Sequence, residues 1–253
     1  MQIVSARQGE MSLSLWPRTS VESALNLDSD NQVIYGSAEV NVKHRVVCSL
    51  AFLALVLARP LAAQDSGAWV PLFNGKDLSG WRNNGHNRFA VESGTIIGES
   101  TTTEYGYLTT EKTYRNFNLK LQFKPLANGN SGVFTRSRII GMDPEHGPDI
   151  EGMQIEVDPS VGNHTGGIYE SGGRGWLIQP TAEGEKALKP AQWNNLEIQV
   201  HGNRYVTRLN GVQIVDYTDT APKFSDGVIG LQLHMGGGVK MQWRQIEIQP
   251  TAE

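Results

Sequence analysis

Cysteine is nearly absent from this sequence: Cys48 is the single one in 253 residues. That excludes a disulfide scaffold and a multi-cysteine zinc module. An excess of positive charge is missing too, because 22 Lys and Arg stand against 26 Asp and Glu, for a net charge of -4. A nucleic-acid surface usually needs a basic stripe, so no nucleic-acid partner is expected. No stretch of about 12 residues keeps a helical apolar repeat, and only Thr181 to Leu188 is expected to make a turn or two of helix. No apolar run reaches the ~20 residues of a membrane-spanning helix, so no stable membrane anchor is expected. The GxSxG elbow, the HExxH helix and the GxxxxGK[ST] loop are also absent, which removes support for serine hydrolase, zinc-protease and phosphate-loop chemistry.

What is present falls into two parts. Lys43, His44 and Arg45 precede an apolar run from Val46 to Leu57, and Arg59 to Gln64 ends in small residues. This is the order of a signal peptide, 43–63, with cleavage expected after Ala63 and a periplasmic or secreted product. Residues 1–42 are polar and aperiodic, and are expected to be a disordered upstream extension from a gene start assigned too early, with translation beginning near Val42.

From Trp69 onward the dominant signal is alternation. Phe117, Leu119, Leu121 and Phe123 alternate with Asn118, Lys120 and Gln122, while Leu196, Ile198 and Val200 alternate with Glu197 and Gln199. Both read as half-buried strands. Asn210-Gly211 between Arg204–Leu209 and Val212–Tyr217 is a strong hairpin signal. About ten or more short strands without a linker predict an all-β, single-domain β-sandwich or jelly roll.

Four segments carry candidate chemistry. In the Met153–Asp158 strand, side chains two apart share a face, so Gln154, Glu156 and Asp158 are expected to project together. Paired carboxylates there can divide into acid and base or hold a cation. Alternation also puts Phe134 with Arg136 on one face of their strand and Gln232 with His234 on one face of theirs, an arrangement that lets Arg, Gln and His converge over one sheet. The glycine-rich stretch Asn163 to Trp176 brings His164, Tyr169, Arg174 and Trp176, whose aromatic members offer flat surfaces for a ligand.

Taken in order, Leu72-Phe-Asn-Gly-Lys-Asp-Leu-Ser-Gly-Trp81, Tyr114 to Phe117, Asn130-Ser-Gly132 with Arg136, Gln154 to Asp158, Thr165 to Tyr169, Trp193-Asn194, Asn210-Gly211 and Gly230 to His234 resemble the 3-keto-disaccharide hydrolase family. The family is also described as 3-keto-glucoside 1,2-lyase and 3-keto-2-hydroxy-glucal hydratase domains. The resemblance runs over residues 69–250 and implies a concanavalin/LamG-like jelly roll, secreted by bacteria, whose partner is a saccharide already oxidised at carbon 3. A ketone there acidifies the carbon 2 proton, so a base can remove it and the aglycone on carbon 1 leaves by β-elimination. Water then adds to the enone. The resemblance implies Glu156, Asp158 and His234 as acid or base, and Arg136 as the stabiliser of the oxyanion, with a divalent metal left open as cofactor. It also implies Gln154, Gln232 and Tyr169 as orienting groups, beside His164 and Trp176 as substrate-binding residues. The family often has Glu before the Gln of the central strand; here Met153 precedes Gln154. Two other readings suit the same face: a non-catalytic lectin-like domain, and a conventional glycosidase using Glu156 and Asp158.

Overall fold

Strands on both sides of the structure are built by the alternation just described. The structure, a computed structural model, describes residues 67–127, 129–159 and 162–252. The expected upstream extension (1–42) and signal peptide (43–63) lie outside these residues. In chain order the elements are β1 (Val70–Pro71), β2 (Trp81–Asn84), β3 (Arg88–Glu92), β4 (Thr95–Glu99), β5 (Gly106–Thr110), β6 (Phe117–Pro125), β7 (Ser131–Asp143) and β8 (Gly147–Val157). They continue with β9 (Ile168–Ser171), β10 (Gly175–Ile178), α1 (Ala182–Glu185), β11 (Asn194–His201), β12 (Arg204–Leu209), β13 (Val212–Thr218), β14 (Val228–Leu233) and β15 (Lys240–Pro250). The short α1 begins where Thr181 accepts a hydrogen bond from Gly184 N, an N-cap that satisfies one of the helix's free donors.

The strands form two antiparallel sheets, which makes the fold a β-sandwich. One runs β13-β12-β11-β6-β15-β4-β3, with β1 added against β15; the other runs β10-β9-β8-β7-β14-β5-β2. In β6 every second residue from Phe117 to Pro125 is buried. Phe117, Leu119, Leu121 and Phe123 meet Leu196, Ile198, Val200 and Trp243 from their own sheet, and Val133, Ile155, Leu231 and Leu233 from the facing one, in a single core. Burying such side chains is the dominant stabilising term, at about 1.5–3 kcal/mol each. The β12–β13 turn takes the expected form, with Asn210 and Gly211 both at positive φ (50° and 85°), the two-residue hairpin geometry that suits the strand twist.

A second, smaller apolar cluster of Tyr107, Phe134 and Ile150, flanked by Tyr105 and Ile139, lies apart from this core. Phe134 and its cross-strand neighbours belong to the face of the seven-stranded sheet that points away from the other sheet. The sequence did not signal β5, because all five of its residues are buried and none alternates with an exposed neighbour.

Candidate functional site

The site is set by β8. Met153, Ile155 and Val157 enter the inter-sheet core, so Gln154 and Glu156 must project from the opposite face. Across the ladder Glu156 stands opposite Gly132, while Gln154 stands opposite Phe134 on one side and Tyr169 on the other. Gln232 is opposite Tyr107, and Tyr169 is opposite Trp176. Gly132 has no side chain for a reason: a Cβ there would come within 2.8 Å of Gln154 Cγ, so only glycine lets the Gln154 amide fold over the neighbouring strand.

A cavity of about 380 Å³ opens over this face. Asn130, Gln154, Glu156, Gln232 and His234 form its polar part; Tyr105, Tyr107, Tyr169 and Trp176 supply aromatic walls. Ile140, Pro148 and Asp149 of the β7–β8 hairpin close one end. Six of the side chains expected from the sequence therefore meet here: Gln154, Glu156, Tyr169, Trp176, Gln232 and His234.

Glu156 is 3% exposed. Asn130 Nδ2 donates to its Oε1 at 2.6 Å and Gln154 Nε2 donates to its Oε2 at 2.7 Å. Both partners are neutral. Burial pushes the Glu156 carboxyl up to about 8, the charge of Asp158 adds to the rise, and the two amide hydrogen bonds oppose it. At neutral pH the carboxyl is thus mostly protonated, the condition for a general acid. Asn130 suits both protonation states: its Oδ1 is buried without a partner, so turning the amide presents an acceptor to a protonated Glu156. Gln232 Oε1 is likewise buried and unpartnered at the cavity wall. Two such acceptors are costly unless a ligand supplies donors.

The imidazole of His234 is oriented by the backbone. Its Nδ1 lies 3.0 Å from Met235 O, and a carbonyl only accepts, so in the neutral ring Nδ1 is the nitrogen that carries the hydrogen and Nε2 the one with the lone pair. Nε2 is 3.4 Å from Tyr105 Oη, and the two rings meet edge to face at 4.9 Å. Tyr107 is pushed well above the usual tyrosine range by burial, tempered by a hydrogen bond from Gln232, and stays a neutral donor.

Three expected members do not line the cavity. Arg136 was placed on the Phe134 face by simple alternation, but the β7–β8 register shifts between Thr135 and Arg138 and Arg136 takes a positive φ of 47°. This bulge turns the side chain away. Its Nε donates to Arg115 O, its Nη1 to Gly202 O and its Nη2 to Asn116 Oδ1, and the guanidinium lies over the Tyr205 ring of the facing sheet. Asp158 lies one residue beyond β8, where its carboxylate accepts from Asn163 Nδ2, and its charge acts on Glu156. His164 stands one layer behind, its Nδ1 2.8 Å from Glu185 Oε1 and its ring edge-on to Trp176 at 5.1 Å. Among the described residues no three His, Cys, Asp or Glu side chains group so as to hold a metal ion.

Tyr105, Tyr107 and Asn130 were missed as site residues. The Tyr105-Gly-Tyr107 spacing puts both rings on one strand face, a readable signal, and the rings stack at 6.0 Å.

Comparison with known proteins gives the following. The family model of the 3-keto-alpha-glucoside-1,2-lyase-like domain matches residues 68–249. A 3-keto-disaccharide hydrolase of Bacteroides thetaiotaomicron is 28% identical over 180 residues, which cover 60% of this chain and 59% of that protein. The chain thus spans well under two thirds of that relative's length. A candidate glycosyl hydrolase from Parabacteroides distasonis superposes with a TM-score of 0.52 at 21% identity, covering 72% of this chain and 93% of its own. A Bacillus subtilis protein of unknown function with a galectin-like fold gives 0.56 at 13% identity, covering 74% and 97%. These two likenesses concern the fold.

Proposed function

The chain belongs to the 3-keto-alpha-glucoside-1,2-lyase-like domain family, and from that premise we propose that it is an enzyme cleaving 3-keto-glycosides by proton removal at carbon 2 and β-elimination of the aglycone, followed by hydration. The observation that carries this reading is the pairing, in one cavity, of a buried Glu156 held up to about 8 with His234, whose Nδ1 is held by Met235 O so that Nε2 is the proton-accepting nitrogen of the neutral ring. His234 Nε2 takes the carbon 2 proton. The electrons shift into the carbon 3 carbonyl, and the enolate oxygen accepts a hydrogen bond from the Tyr107 hydroxyl, which Gln232 positions. Glu156 gives its proton to the glycosidic oxygen as the carbon 1 bond breaks. The resulting carboxylate is then a base for the water that adds to the enone. Gln154 and Asn130 hold that carboxyl in place throughout.

The bulge at Arg136 moves the oxyanion role from Arg136 to a neutral donor, because the Arg136 donors are directed at Arg115, Gly202 and Asn116. A periplasmic or secreted location is part of the proposal and rests on the order of residues in 43–63. No helix among the described residues is long and apolar enough to cross a membrane.

The test is a pair of substrates. Purified protein given a 3-keto-glucoside should release the aglycone and show a transient enone absorbance, while the unoxidised glucoside should stay intact. Equal cleavage of both would favour the conventional glycosidase, and binding without cleavage of either would favour the lectin-like reading.

A further inference from the structure

The cavity has two chemically different ends, and the steps above use one of them. Around Glu156 the wall consists of amides, a carboxyl, an imidazole and the two tyrosines Tyr105 and Tyr107 with their hydroxyls. Toward the β7–β8 hairpin and the β9–β10 edge it becomes apolar: Ile140 is 55% exposed and Trp176 39%, with Pro148 and Tyr169 beside them. Met142, 57% exposed, stands directly opposite Pro148 in the ladder, and directly opposed side chains share a face. The other large exposed apolar side chains among the described residues, Trp69, Val70, Leu126 and Val212, sit on other elements and do not line this cavity. Single exposed apolar residues are ordinary; two lining one cavity, with a third on the strand pair beside it, mark a binding surface.

A second sugar ring placed there would press its hydroxyls against Ile140, Met142 and Pro148, none of which can pair them, and unpaired hydroxyls resist burial. A flat apolar ring meets no such penalty and can pack on the Trp176 indole. The polar groups at this end are the exposed Asp149 carboxylate and Ser171, both able to accept a hydrogen bond from a phenolic hydroxyl at the ring's edge.

We propose that this outer end of the cavity is the leaving-group subsite and takes an aryl aglycone, with Ile140 and Trp176 setting the preference over a second sugar. The assignment rests on the elimination reading only for which half of the ligand departs. Recognition of the aryl ring can be measured without turnover.

Calorimetric binding of phenyl glucoside and of a glucosyl-glucose disaccharide of the same anomeric form, both unoxidised and therefore not consumed, provides the test. The wild type is expected to bind phenyl glucoside about tenfold tighter or more. Ile140→Ser and Trp176→Ala, both at exposed positions, should each weaken phenyl glucoside several-fold more than the disaccharide and so remove much of that preference. Equal or tighter binding of the disaccharide, an equal loss for both ligands in the variants, or no measurable binding of phenyl glucoside would each overturn the proposal. Failure of the elimination reading is separate: a protein inert on the 3-keto-glucoside can still show the aryl preference, and an active one can lack it.

Discussion

Glu156 and Glu170 are two glutamates on neighbouring strands, buried to nearly the same degree at 3% and 4% exposed, yet they sit in opposite electrostatic settings. Glu170 stands opposite Met153, on the core side of the sheet. Arg174 donates to it through Nε at 2.7 Å and Nη2 at 2.9 Å, and also grips Asp219 through Nη1 and Nη2, both at 2.8 Å. Those bonds hold the Glu170 and Asp219 carboxyls below their usual range. Glu156, on the cavity side, is pushed up first by burial and then by the like charge of Asp158, and its two neutral amides offset only part of the rise. Both are closed off from solvent, but desolvation prevails only at Glu156, while at Glu170 the bonds from Arg174 outweigh it. A paired carboxylate tethers the β9–β10 edge to the segment after β13, whereas an unpaired one keeps a transferable proton at neutral pH.

The largest expected effect falls on turnover. Glu156→Gln and His234→Ala should each lower the rate on a 3-keto-glucoside by about 10² to 10⁴ fold, the usual contribution of a positioned acid or base. Glu170→Gln should leave the rate per folded molecule within about twofold, because a group outside the cavity does not enter the reaction barrier. Steady-state kinetics on the three variants would break the comparison if Glu170 proved as important to turnover as Glu156.

Stability should show the reverse order. Arg174→Met leaves two buried carboxylates without their cation and should cost about 2–4 kcal/mol in urea unfolding, below the full penalty for a buried pair because Arg174 itself is 36% exposed.

The two acids also pull the pH dependence in opposite directions. Glu170 and Asp219 have depressed values, so their contribution is present above their unfolded values of 4.5 and 3.8 and is lost as the pH falls through the lower folded ones. Glu156 has a raised value, so its contribution is full below 4.5 and is lost as the pH climbs to about 8. Glu156→Gln should therefore raise stability above about pH 8, by about 1–2 kcal/mol, the gain usual when a strained functional group is removed. Thermal melts across pH would sharpen the comparison; a variant less stable than wild type at alkaline pH would go against it.

The smallest effect concerns Asp158. If Glu156 acts as the acid, kcat/KM should fall as the pH rises through about 8. Asp158→Asn removes the like charge and should move that alkaline limb to lower pH while leaving the maximum rate largely intact. An unmoved limb would mean that burial alone sets the Glu156 value.

These contrasts also show what the sequence made legible. The strands with polar and apolar alternation, β6, β11, β12 and β13, and the Asn210-Gly211 turn could be read directly, because one face is buried and the other is not. The same rule placed Gln154, Glu156 and Gln232 correctly. It failed at Arg136, where a bulge inserts one residue and reverses the side of the sheet, and a bulge leaves no mark in the pattern of polar and apolar residues. It failed at β5, buried on both faces, where period two vanishes. Asp158 was assigned to the right side of the strand but lies past its end, so it meets Asn163 rather than the cavity. The Arg174 network was invisible because Asp219 is 45 residues from Arg174, a separation that no local spacing reports.

The most direct test of the account is the reaction of a 3-keto-glucoside carrying deuterium at carbon 2. Single-turnover cleavage should be slower than with the unlabelled compound, the enone should form before water adds, and His234→Ala should suppress both the enone and the loss of label. Cleavage at a rate indifferent to the label, without an enone and undiminished in His234→Ala, would contradict proton removal at carbon 2 as the step this cavity performs.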